Sequence, residues 1–307
     1  MHVCRGLPTN TDTPLALTIG NFDGVHRGHQ AMLEQMKAAA IAHGVPAAVL
    51  TFVPPPREFF APEHAPPRLS TVRDKLERFA QLGIDRAYFA RFNRALANLA
   101  PDEFIERVLV KSLGVKWLLV GDDFRFGKGR QGNLHTLETA ASAHGFTVAT
   151  LGTVEINGER VSSTAIREAL ARGDLEWAAQ LLGRPYTISG HVGHGKRLGR
   201  GLGFPTANIP LRGKPALSGI FAVRVRGLGD TPRDAVASLG VRPTVTSDAR
   251  PLLEVHVFDF ERMIYGRRIA VEFLHKLRDE EKYPDLHSLT RQIERDVAAA
   301  RSYLKQH

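Results

Sequence analysis

The sequence predicts an α/β protein of two domains: a Rossmann-like N-terminal domain on a parallel sheet, then an antiparallel β-barrel closed by a helix. Three observations carry this. Strand-length apolar runs alternate with helical stretches as far as Leu151. Beyond Arg184, short strands separated by Gly and Pro dominate. A chain of 307 residues also suits two cores better than one.

In the first half, strands are expected at Leu15–Ile19, Ala47–Phe52, Ile84–Phe89, Trp117–Val120 and Phe146–Leu151. Helices are expected between them, at His29–His43, Thr71–Leu82, Asp102–Leu113 and Leu134–Ala143. Val72, Leu76, Phe79 and Leu82 repeat at helical spacing, and Thr71 with Asp74 forms a capping box. Gly44 and Gly83 stand where helices end. Strand, helix, strand in repetition makes a parallel sheet covered on both faces. The proline-rich run Pro54–Pro67 reads as a loop, either a lid over the strand ends or a surface excursion.

Two short helices, Ser163–Ala171 and Asp174–Leu182, lead to Gly183, where the boundary is drawn: 1–183 and 184–307. The barrel strands are Tyr186–Val192, Ile220–Val225, Ala235–Leu239, Leu252–Phe260 and Arg268–Phe273. Leu286, Leu289, Ile293, Val297 and Leu304 fall roughly on one face of a closing helix.

The formal charge of +9 admits nucleic acid, an anionic membrane or phosphorylated ligands. Placement favours the last. The clusters Arg125–Arg130 and Gly193–Arg200 are glycine-rich, so backbone N–H groups approach an anion closely. The N-terminus lacks a charged stretch followed by an apolar run, the longest apolar run is too short to span a bilayer, and the single Cys4 forms no internal disulfide. A cytoplasmic protein with neither nucleic-acid nor membrane partner is expected; oligomeric state is not legible.

Two segments carry chemistry. Gly20-Asn21-Phe22-Asp23-Gly24-Val25-His26-Arg27-Gly28-His29 runs from the first strand into the first helix. A helix start attracts phosphate, His26 and His29 are positioned to donate hydrogen bonds to it, and Gly28 leaves room. Ser163, Thr164 and Arg167 open a second helix that suits a triphosphate. In the barrel, Gly193, Gly195, Lys196 and Gly199 form a loop able to wrap a polyphosphate, although not a P-loop. Thr206 and Asn208, two apart, share a face if extended and offer hard oxygens to Mg²⁺. Glu254 alternates with apolar neighbours and shares a strand face with His256; it reads either as a solvated strand residue or as a base for an alcohol.

The paired-histidine loop, Val120–Gly127 and Ser162-Ser163-Thr164-Ala165-Ile166-Arg167 together resemble the adenylyltransferase domain of the prokaryotic bifunctional riboflavin kinase and FAD synthetase family. Phe204–Asn208, Arg242-Pro243-Thr244, Glu254-Val255-His256 and Ile264-Tyr265-Gly266 resemble its kinase module. The resemblance covers roughly Ala16 to Tyr303. Its departures are mild: Ile220-Phe221 where Val-Tyr is usual, Leu239 and Val241 flanking Gly240, and Val161 where Ile is usual.

The resemblance implies that riboflavin is phosphorylated with Mg-ATP to FMN, and FMN adenylylated by a second ATP to FAD with release of pyrophosphate. His26 and His29 would then be catalytic, with Gly20 to Gly24, Gly28, Ser163, Thr164 and Arg167 on the nucleotide. Thr206 and Asn208 would hold Mg-ATP and Glu254 would be the base. Asp123 and Arg125 would meet the flavin, Asp123 at a position where Asn also occurs. Two rivals stand at this point: the same histidine chemistry with another acceptor, such as a phosphopantetheine or sugar phosphate, and a basic nucleic-acid-binding barrel.

Overall fold

The computed structural model describes residues 1–194, 203–211, 213–241 and 251–307. They form two compact units, the first comprising Met1–Pro66 and Thr71–Val161, the second Pro67–Ser70 and Ser162–His307. The second unit thus begins ahead of the 183/184 boundary read from the sequence.

The first unit holds β1 (His2–Arg5), β2 (Leu15–Ile19), α1 (Arg27–Ala42), β3 (Ala47–Val53), α2 (Pro56–Phe60), α3 (Val72–Gln81), β4 (Arg86–Arg91) and α4 (Arg94–Ala97). Then come α5 (Pro101–Phe104), continued by π-helical turns through Ile105–Ser112, β5 (Val115–Gly121), α6 (Leu134–His144), β6 (Thr147–Leu151) and the hairpin β7 (Glu155–Ile156) and β8 (Glu159–Arg160). The sheet order is β1-β4-β3-β2-β5-β6, with every pairing parallel. Side chains alternate along β2. Leu15, Leu17 and Ile19 enter the core with Phe104, Leu109 and Leu137, while Ala16 enters the opposite core with Leu33, Met36 and Phe79. Both faces are therefore covered, by α5 and α6 on one side and α1 and α3 on the other.

From β2 the chain winds outward through β3 and β4, then returns to β2's other side at β5. That reversal opens a crevice at the carboxyl ends of β2 and β5, where the histidine loop and Asp122–Phe126 emerge. The expected capping box at Thr71 is present, and Gly44 and Gly83 both have left-handed backbone. The sequence reading did not include α4 or the β7–β8 hairpin, and two further features differ from it. β1 adds an edge strand, and the proline run contains α2, which tolerates Pro56 because a first-turn N–H needs no helical partner.

In the second unit, α7 (Ser163–Arg172) and α8 (Leu175–Leu182) precede six strands: β9 (Tyr186–His191), β10 (Ala207–Pro210), β11 (Gly219–Arg226), β12 (Arg233–Val241), β13 (Pro251–Val257) and β14 (Arg268–Arg278); α9 (Leu286–Gln306) ends the chain. Their order is β10-β13-β12-β11-β14-β9, antiparallel throughout. The Gly193 N–H donates to the Asn208 carbonyl at 2.7 Å, joining the two end strands into a nearly closed barrel. At that seam, a Cβ on Gly190 would lie 2.4 Å from Ile209 Cγ2, so only glycine fits unless the strands part.

Phe221, Val223 and Val225 fill the interior with Phe273, Leu253 and Val255. Ile220 and Ala222 face outward under Ala300 and Leu304 of α9. Arg278 of β14 grips Asp296 of α9 through two bonds, Nε at 2.9 Å and an Nη at 2.6 Å. Val297 packs against this cluster as expected, but Leu286 is 66% exposed, because it lies in the helix's first turn, well before Asp296 and Ala300 reach the sheet.

Candidate active sites

In the first unit, the loop after β2 is strained and anchored. Phe22 and the β-branched Val25 have φ of 47° and 42°, a region such residues avoid unless their surroundings enforce it. Both are fully buried, so core packing holds them there. The chain thereby turns sharply enough to deliver His26 as the N-cap of α1. His26 Nδ1 accepts from the His29 N–H at 3.3 Å, which leaves its proton on Nε2 as a donor. The two imidazoles stack, with centroids 3.6 Å apart. A Cβ at Gly28 would come within 3.3 Å of the His26 ring, so the glycine preserves the capping geometry rather than an empty space.

His29 is half-buried, but its Nδ1 is shielded from solvent and has no hydrogen-bond partner. Burial, then the neighbouring His26, then Lys75 of α3 hold its pKa well below the ordinary 6.5. The ring is therefore neutral at pH 7. Beyond β5, Asp123 accepts from Arg160 of β8 at 2.8 Å, and Arg125 is close to the Phe124 carbonyl. The Asp123–Arg160 pair was not anticipated; a short polar hairpin carries no periodic signal that would place it beside β5.

Ser162, rather than Ser163, caps α7 by accepting from the Ala165 N–H at 3.1 Å. Ser163 and Thr164 occupy the first turn, and Arg167 Nε donates to the Pro67 carbonyl at 2.6 Å. These residues belong to the second unit.

The barrel brings three candidate residues together. Asn208 lies directly opposite Glu254 in the β10–β13 register, and Ser238 of β12 lies opposite Glu254 on its other side. Cross-strand partners share a face, so the amide, the carboxylate and the hydroxyl form one row. Thr206 immediately precedes β10, and its carbonyl accepts from Asn208 Nδ2 at 3.2 Å. Asn208 Oδ1 is buried without a partner, an oxygen held ready for a ligand. Thr206 and Asn208 line a cavity of about 250 Å³ with Val255, Val257, Ile264 and Tyr265. His256 holds the preceding turn, its Nδ1 2.9 Å from the Pro205 carbonyl. The expected site residues Gly195, Lys196 and Gly199, and Arg242-Pro243-Thr244, lie outside the described residues.

Comparisons with known proteins agree with this two-part arrangement. The FAD synthetase family matches residues 9–165, and the riboflavin kinase family matches 182–304. The bifunctional riboflavin kinase/FMN adenylyltransferase of Escherichia coli K12 is 45% identical over 307 residues, covering 99% of this chain and 98% of its own. The Haemophilus influenzae protein of the same description is 47% identical, covering 99% of each. A crystal structure from Streptococcus pneumoniae described as a macrolide-efflux protein superposes with a TM-score of 0.82 at 27% identity, covering 98% of this chain and 99% of its own. Among the described residues no helix is long and apolar enough to cross a membrane.

Proposed function

We propose a division of chemistry within a chain that belongs to the family of bifunctional riboflavin kinase/FMN adenylyltransferases. The enzyme phosphorylates riboflavin with ATP to give FMN and joins FMN to the adenylyl group of a second ATP, giving FAD and pyrophosphate. The observation that supports the division is that the stacked histidine pair lies wholly in the first unit and the Thr206–Asn208–Glu254 set wholly in the second.

In adenylyl transfer the acceptor is the FMN phosphate, already ionised, so no base is needed. What the transition state needs is stabilisation of charge growing on the triphosphate. His26 Nε2–H, neutral His29 and the N–H groups at the start of α1 supply it, with Gly20, Asn21, Phe22, Asp23, Gly24 and Gly28 shaping the loop. By the family resemblance Ser163, Thr164 and Arg167, which open α7 in the second unit, are assigned to the nucleotide, and Asp123 and Arg125 to the flavin.

The kinase acceptor is a ribityl hydroxyl, which must lose a proton. Glu254 takes it, half-buried beside Asn208. Gly193, Gly195, Lys196 and Gly199 hold the polyphosphate. A hard cation fits the oxygens here, since Asn208 Oδ1 is buried and unpartnered beside Thr206. Mg²⁺ held by Thr206 and Asn208 would neutralise charge on the ATP phosphates. The catalytic modules are 1–183 and 184–307, with α7 and α8 packed as an extension of the barrel, and an ATP-using chain of this kind suits the cytoplasm.

Incubating the purified chain with riboflavin and Mg-ATP, then separating the flavins, tests the reading. Both FMN and FAD form; absence of either sinks the bifunctional assignment.

A further inference from the structure

The geometry points to Lys75 as a positioning residue of the adenylyl-transfer site, fixing the loop and the histidine that meet the nucleotide. This rests on the assignment of His29 to that reaction. Lys75 lies on the inner face of α3, a turn before Phe79, and is only 6% exposed. Burying an ammonium is unfavourable unless partners offset it, so its placement calls for a reason beyond covering the core.

The contacts supply one. Lys75 Nζ donates to the Asn21 carbonyl at 2.7 Å, and the buried Thr51 hydroxyl lies 3.4 Å from the same oxygen. Asn21 is two residues past the end of β2, just before the left-handed Phe22. The Phe22 ring lies edge-on to Phe79 at 5.4 Å and against the His29 ring at 5.1 Å. Two residues one turn apart on α3 therefore grip the loop, one by its backbone and one by its aromatic ring.

The charge matters as much as the bond. The groups that bear on His29 are His26 from its own helix and Lys75 from α3, and both oppose its protonation beyond what burial does. Lys75 thus helps to keep His29 a neutral donor until phosphate arrives. The hydrogen bond acts on the loop backbone and the charge on the His29 ring, so substitution can separate the two.

Lys75→Met removes bond and charge; Lys75→Gln keeps a donor for the carbonyl and removes only the charge. In both, the His29 ring, followed by NMR against pH in the full chain, titrates at higher pH than in wild type. FAD formation from FMN falls about tenfold or more in Lys75→Met, with its acid limb moved the same way, while FMN formation from riboflavin stays unchanged. His29→Ala is run alongside. If it leaves FAD formation intact, the histidine assignment fails. If it abolishes FAD formation but neither Lys75 variant shifts the His29 titration, the Lys75 proposal is overturned, even where activity drops.

Discussion

At the residue scale, two side chains carry the sharpest consequences. His29→Ala lowers FAD formation from FMN by about 10²–10³-fold, the usual loss for one transition-state donor, and leaves kinase activity intact as a folding control. Glu254→Gln does the reverse: FMN formation slows by about 10²–10⁴-fold while FMN adenylylation is unchanged. Near-normal FMN production in that variant would make Glu254 a solvated member of the Asn208–Glu254–Ser238 row. His29 also ties stability to pH. Its folded pKa is depressed, so below the ordinary 6.5 the unfolded chain binds a proton that the folded chain refuses. Its contribution to stability is therefore present above pH 6.5 and is lost as the pH falls from there toward the folded value. Denaturant melts across that range show a steeper acid loss for wild type than for His29→Gln.

At the element scale, α9 is attached to the barrel by apolar packing and by the Arg278–Asp296 pair, which is largely buried. Breaking such a pair from one side strands a charge. Asp296→Ala should destabilise the second unit by about 3 kcal/mol, whereas replacing both partners with apolar residues should cost much less. Urea unfolding of the two variants decides it; equal losses would mean that the pair contributes little beyond packing. The strand seam behaves similarly. Gly190 is glycine because β9 and β10 close there against Ile209, a constraint visible only once the barrel has formed. Elements with strong local patterns, such as α3 with its capping box and β2 with its alternating faces, were legible from sequence because short-range contacts specify them. β10, four residues within a Gly- and Pro-rich stretch, was not, since its pairing with β13 lies more than forty residues away.

At the scale of the whole molecule, the helices α7 and α8 matter most. Leu175, Ala178, Leu181 and Leu182 are buried, and α8 packs on β9 and β14 of the barrel. A fragment 162–307 should therefore keep kinase activity with a higher melting temperature than 184–307, which exposes the surface that α8 covers. Equal melting temperatures would show that the helices are dispensable to the barrel. The sequence by itself determined the two architectures and the paired histidines at a helix start, because periodicity and spacing are properties of neighbouring residues, and its motifs carried the resemblance to the family. Only the tertiary structure decided that Glu254 faces Asn208, that Lys75 reaches Asn21, and that Gly28 makes room for the His26 ring. Those relations depend on strand register and helix docking, which bring distant residues to within a few ångströms and which no local pattern encodes.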